Sequence, residues 1–205
     1  MLGYLREHGY AGGIYPVNPR YPEVEGLTCY PSVGAISGPV DLVLALLGAE
    51  RVMGTLQDCA AKGVAYVVVH ASGFGETGAR GAALEQEMTA YARANGMRII
   101  GPNCIGLVSP TDHLVAGFSP LFSRIRFEPG SLGMVTQSGA LGYGIVSLAV
   151  ERGLRFSRIV NTDGIVVIDD FFSPRYPANT TEVVRYMEKN PFHFRLLAVG
   201  FNKGY

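Results

Sequence analysis

Short apolar runs that end in glycine-rich turns alternate with amphipathic segments of helical length, and this alternation constrains the fold more than any other feature. Residues 13–17, 41–47, 64–70 and 97–100 read as strands. Residues 50–62 and 80–95 read as helices, the first with Val52, Met53, Leu56, Cys59 and Ala60 on one side and the second closed by Gly96. A helix between two strands demands a crossover connection, so the sheet is mostly parallel with helices on both faces. The 41–47 run is apolar along its length, as a strand covered on both faces must be. In such sheets the ligand lies at the loops after the strand C-termini. The turns at 18–22, 71–78 and 101–106 all fall there.

From 107 to 128 the periodicity lapses and Pro, Ser and Phe accumulate, which reads as a connector ending at Pro129-Gly130. A second unit follows: strand 131–136, turn 137–139, helix 140–152, a turn at Gly153, strands 158–161 and 165–168, helix 180–189 and a last strand at 194–200. Hydrophobic residues make up 48% of the chain and charged residues 17%, enough for a core in each unit. Lys+Arg and Asp+Glu are both 17, so the basic surplus of a nucleic-acid partner is missing. The longest apolar run, 40–49, contains Asp41 and falls well short of the roughly 20 residues of a membrane span. Arg6, Glu7 and His8 stand where a signal peptide needs its apolar core, and Cys29, Cys59 and Cys104 are widely spaced, so the expected setting is cytoplasmic with reduced thiols.

Three turns could carry chemistry. In Thr136-Gln137-Ser138-Gly139-Ala140-Leu141-Gly142 a strand meets a helix, whose first N–H groups and positive dipole end favour an anion; Ser138 is equally well placed to be an N-cap. A nucleophile elbow is ruled out, because Thr136 stands where that pattern needs glycine. In Gly101-Pro102-Asn103-Cys104-Ile105-Gly106, Asn103 suits a left-handed backbone or a ligand contact. Cys104 there reads as a buried small hydrophobe, with no cationic neighbour in view to make it a nucleophile. Asp169-Asp170 ends an apolar strand, as a metal or hydroxyl ligand or as a loop cap. His8, His70, His113 and His193 are scattered without ligand spacing, so no metal is expected.

Five motifs stand in one order: Ile14-Tyr15-Pro16-Val17-Asn18-Pro19-Arg20; Tyr30-Pro31-Ser32; Ser72-Gly73-Phe74-Gly75-Glu76-Thr77-Gly78; Gly101 to Leu107; and Gly133 to Gly142. Together they resemble the NDP-forming acyl-CoA synthetases, relatives of the succinyl-CoA synthetase α subunit, over about residues 1–161. The resemblance implies an α/β chain: a Rossmann-like CoA-binding domain lacking its first strand at 1–127, then a partial flavodoxin-like parallel-sheet domain at 128–205. It implies the reaction acyl-CoA + ADP + phosphate ⇌ acid + CoA + ATP, through an acyl phosphate and a phosphohistidine, with an ATP-grasp domain or subunit as partner. On the matching positions Arg20, Tyr30, Pro31, Ser32, Gly48, Ala49, Ser72, Gly73, Asn103 and Cys104 fall to CoA. Ser138, Gly139 and Ala140 fall to a phosphoryl group.

The departures from that pattern carry their own expectations. The family's first strand and its glycine-rich phosphate loop would precede Met1, which leaves an open slot in the sheet of residues 1–106. The family's Gly-Asn-Glu is replaced by Asn161-Thr162-Asp163-Gly164, and no histidine matches the phosphorylated one, His193 included. The chain by itself is therefore expected to be inactive. From about 163 onward, Ile165 to Pro174 and Val199 to Lys203 resemble the end of FkbM-like class I methyltransferases, as a fusion of two gene fragments would. The alternatives to a ligase fragment are a non-catalytic CoA- or nucleotide-binding module and, further off, a methyltransferase remnant.

Overall fold

The computed structural model describes residues 1–162 and the backbone of 196–201. The chain divides into two compact units, one of Met1–Ala11 with Cys104–His193 and the other of Gly12–Asn103 with Phe194–Tyr205.

The second of these holds the parallel sheet that the alternation predicts. Its strands are β1 (Gly13–Val17), β4 (Leu42–Leu46), β5 (Tyr66–Val69), β6 (Arg98–Ile100) and β11 (Leu196–Phe201), in the order β1-β11-β4-β5-β6 with every pair parallel. A short hairpin, β2 (Glu23–Val24) and β3 (Leu27–Thr28), lies between β1 and β4 in sequence. Helix α2 (Ala49–Lys62) buries Val52, Leu56 and Cys59, one face at i, i+4 and i+7, and stops at Gly63 in the left-handed region at φ 77°. Helix α3 (Ala79–Ala94) buries Gly81, Met88 and Ala92. Leu42 to Ala45 in β4 are all buried, as a strand covered on both faces requires.

The expected open slot is not there. Strand β11 lies between β1 and β4, with Gly13 to Val17 opposite 196–200 and Leu42 to Leu46 opposite 197–201. The last strand of the chain therefore takes the place that a first strand would hold, and the backbone groups facing that place are paired.

The other unit is a mixed four-stranded sheet, where a parallel one is expected. Strands β9 (Pro129–Thr136) and β10 (Phe156–Asn161) are parallel and joined over α4 (Gly139–Glu151). On the other side of β10, β7 (Gly106–Ser109) and β8 (Leu114–Gly117) pair antiparallel. The segment read as a connector thus contains a hairpin, turned through Pro110–Asp112 with His113 exposed at φ 53°. Val108, Val115, Phe122, Ile125 and Phe127 from this segment share one core with Tyr143, Val146, Phe156 and Ile159. Helix α1 (Leu2–Glu7) joins the same unit: Tyr4 meets Phe122 edge-on at 5.6 Å, and the Phe122 carbonyl lies 2.8 Å from His8 Nε2. These contacts move the division between units from 127/128 to Asn103/Cys104 and place the first eleven residues with the later part of the chain. The strand, loop and helix expected at 165–189 lie outside the described residues.

Removal of residues 194–205 is expected to strip β1 and β4 of partners on their facing sides. Hydrogen exchange should then rise at Ile14, Tyr15 and Leu42 to Leu44 towards the rates of fraying segments, while Val108 and Ile159 stay protected. Unchanged protection at β4 would show that the sheet does not depend on its last strand.

Candidate functional site

In the parallel sheet the strand-end loops lie along one edge, and local bonds hold them together. After β1, Asn18 N–H donates to Tyr30 O at 2.8 Å and Tyr30 N–H donates to Pro16 O at 2.8 Å, so Tyr30-Pro31-Ser32 runs beside the end of β1. The buried Asn18 accepts Arg20 N–H on its side-chain oxygen at 2.9 Å, an Asx-type turn that leaves Arg20 exposed. After β4, Gly48 caps α2 and Ala49 begins it. After β5, Gly73 at φ 104° approaches so closely that a Cβ on it would lie 3.2 Å from the Ala49 methyl. Asn103 N–H donates to Ala71 O at 2.8 Å and has φ 51°, the left-handed backbone that asparagine tolerates. Arg20, Tyr30 to Ser32, Gly48, Ala49, Ser72, Gly73 and Asn103 are thus gathered at one edge of one unit.

A cavity of about 190 Å³ opens at this edge between Pro19, Pro31, Ser32 and the α2 side chains Arg51, Thr55 and Asp58. These three helix residues have no place among the sequence-based candidates. Their spacing at i, i+4 and i+7 puts them on one face of the helix that begins at the Gly48-Ala49 turn.

Carboxylates occupy the N–H groups of the next loop. Glu76 accepts Gly73 N–H at 2.5 Å and Phe74 N–H at 3.2 Å, and Glu85 accepts Gly75 N–H at 3.0 Å. Burial works to raise the Glu76 carboxyl, but the donations from Gly73, its own N–H and Phe74 outweigh it and hold it below its ordinary range. Phe74 is wholly buried and anchors the loop. Gly81 must be glycine, because a Cβ there would lie 1.8 Å from the Phe74 carbonyl oxygen.

In the mixed-sheet unit Ser138 is the N-cap of α4, accepting Leu141 N–H on Oγ at 3.3 Å. Capping uses a lone pair and leaves the hydroxyl proton to donate, so the cap and anion readings of Ser138 are compatible. Thr136 Oγ1 donates to Ser138 O at 3.0 Å, and Ser138 and Ala140 are exposed. A Cβ on Gly139 would meet Ile105 Cδ1 at 2.2 Å, and one on Gly142 would meet Thr136 Cγ2 at 2.4 Å, so both glycines let the helix start close on its neighbours. Cys104 is 2% exposed, as a small buried hydrophobe would be. The 1% exposed Asn161, met in the sequence only as a departure from a motif, bonds both turns of this unit: it accepts Ile105 N–H at 2.7 Å and donates to Thr136 O at 3.1 Å.

Burial pushes the Cys59 thiol up to about 12, with neighbouring Asp58 adding to the rise, and raises that of Cys29. Among the described residues no group of three or more His, Cys, Asp and Glu could hold a metal, and no helix is long and apolar enough to cross a membrane. Asp169, Asp170 and His193 lie outside the described residues.

The profile of one protein family, described as CoA binding domain, matches residues 1–110. The alpha subunit of the acetate–CoA ligase [ADP-forming] II of Pyrococcus furiosus is 39% identical over 187 residues, 88% of this chain and 39% of its own length. The alpha subunit of the corresponding ligase I of the same organism is 37% identical over 197 residues, 92% of this chain and 41% of its own. A solved structure of the dinucleotide-forming acetyl-coenzyme A synthetase 1 of Candidatus Korarchaeum cryptofilum, in complex with phosphate and ADP, superposes with a TM-score of 0.75 at 29% identity, over all of this chain and 40% of that one. The chain therefore spans about two fifths of these relatives. A match over 92% of the chain cannot stop at Asn161, so the likeness runs through the expected junction and the methyltransferase-like reading of the tail gains no support.

Two outcomes are expected from the Glu76 loop. The folded carboxyl lies below its unfolded value, so its stabilisation is present above the unfolded range and is lost as pH falls through the folded value. The Gly73 amide should titrate with a midpoint below the ordinary 4.5, and Glu76→Gln should abolish that inflection. Gly81→Ala should cost about 2 kcal/mol by overpacking, read as a lowered thermal midpoint. A Gly73 midpoint at or above the ordinary value would refute the cap.

Proposed function

Since the chain belongs to the CoA binding domain family, we propose that it is the CoA-binding α-type part of an NDP-forming acyl-CoA synthetase. The observation that carries this is the convergence of loops from four strand ends, distant in sequence, on one edge of a parallel sheet. In this reading Arg20 supplies a cation to the CoA phosphates. Tyr30, Pro31 and Ser32 line the path on one side, and Gly48, Ala49, Ser72 and Gly73 line it on the other, the glycines admitting the ligand close to backbone N–H groups. Asn103 and Cys104 attend the thioester end. Ser138, Gly139 and Ala140 receive a phosphoryl group at the start of α4, where unpaired N–H groups and the helix dipole favour negative charge.

The reaction served is acyl-CoA + ADP + phosphate ⇌ acid + CoA + ATP, with the nucleotide presented by an ATP-grasp domain or subunit and the setting cytoplasmic. No histidine of this chain takes the phosphoryl group in this reading. The 205-residue chain accordingly binds CoA without turning it over. Groups that act as a unit in catalysis fail together, so a partial set gives almost no rate.

Calorimetry with CoA, ADP and S-adenosylmethionine tests the reading directly. CoA is expected to bind. Arg20→Ala is expected to weaken it about tenfold or more, since a charge-assisted hydrogen bond contributes roughly 1.5–3 kcal/mol. A coupled assay with acetyl-CoA, ADP and phosphate should stay at background. Failure to bind CoA would overturn the assignment; ATP formation that tracks the chain and vanishes in Ser138→Pro would overturn the claim that it is inactive alone.

A further inference from the structure

We infer that Asn161 is a positioning residue that fixes the Cys104–Gly106 turn against the Thr136–Gly139 turn, and thereby sets the geometry of the anion site at the start of α4. The inference rests on the reading of Ser138, Gly139 and Ala140 as a phosphoryl site, and all its parts lie within one compact unit.

Asn161 ends β10 and is 1% exposed. Its amide oxygen accepts Ile105 N–H at 2.7 Å, and its amide nitrogen donates to Thr136 O at 3.1 Å. One partner is an N–H and the other a carbonyl, and a carboxamide presents a donor and an acceptor side by side, as neither an ionised carboxylate nor an apolar side chain does. The residue therefore cannot be exchanged for an apolar one of equal size without leaving two backbone groups short of a partner.

The clamp bears on the anion site through two further contacts. Thr136 O also accepts Thr162 N–H at 2.9 Å, and Thr136 Oγ1 donates to Ser138 O at 3.0 Å, so the residue that Asn161 holds is the one that shapes the turn into α4. Ile105, whose N–H Asn161 holds, packs its side chain over the Cα of Gly139, as the 2.2 Å approach to a Cβ built there shows. One amide thus pins both walls of the turn that opens α4, and it acts on that turn through Thr136 and Ile105.

The test uses the full chain labelled with nitrogen-15, with inorganic phosphate as the probe, in wild type, Asn161→Leu and the milder Asn161→Ser. The expected result is that Asn161→Leu weakens phosphate binding about tenfold or more and speeds exchange of the Ile105 amide about tenfold, while Val108 and Ile159 stay protected. Asn161→Ser, which can keep one of the two bonds, should fall between and decides the matter if the leucine variant does not fold. Phosphate affinity equal to wild type in a folded variant would overturn the inference, as would an unchanged Ile105 amide. If the wild type itself binds no phosphate, the anion-site reading fails, and the Ile105 exchange rate still decides whether Asn161 holds the turns.

Discussion

Parallel pairing is the constraint on which the rest depends. Because β1, β11, β4, β5 and β6 all run the same way, the loops that follow β1, β4, β5 and β6 emerge at the same edge. Residues as far apart in sequence as Arg20, Gly48 and Gly73 become neighbours through direction alone. The central member of that arrangement is β11, which bonds both β1 and β4. Without it β1 would have no ladder to the rest of the sheet, and its loop would have no fixed place beside the others.

What the sequence made legible follows the length scale of its signals. Helices α2 and α3 announce themselves by apolar spacing and closing glycines, and β4 by an unbroken apolar run, all local patterns. The hairpin of β7 and β8 is illegible for the opposite reason. Its strands are four residues each, Gly106 and Gly117 dilute them, and the flanking Pro, Ser and Phe look like a connector. The pairing of β7 with β10, some fifty positions along the chain, is what ties the hairpin into the sheet. Likewise nothing near Tyr4 says that its ring will meet Phe122. The place of β11 in the sheet is the extreme case: a last strand is predicted, but its neighbours are set by a slot between strands that lie more than 150 residues earlier.

The candidate site divides in the same way. Glycine-rich turns after strands are visible in sequence because they combine a local composition with a known position in a parallel fold. Asn161 is not visible, since a single amide at the end of an apolar strand has no pattern; set against a family motif, it registers only as a mismatch. The structure gives that mismatch a physical role, two hydrogen bonds from a buried carboxamide to two backbone groups on different turns. Arg51, Thr55 and Asp58 are a middle case, a polar helix face whose neighbour in space, the Pro31-Ser32 segment, lies about twenty residues away in sequence.

A chain with no net charge that is to hold a polyanion cannot rely on a broad positive field. It has to use a few local cations and backbone N–H groups fixed in advance, so that ordering them does not consume the interaction energy. The edge of the parallel sheet shows that economy in the folded chain itself. Asn18 shapes the turn that carries Arg20, glycines at 48 and 73 bring backbone to the surface, and Glu76 and Glu85 accept the N–H groups of residues 73–75. Those carboxylates satisfy the N–H groups of the loop and fix its shape before any ligand arrives, so the cation on the Asn18 turn and the glycine backbone keep their places without a ligand to order them.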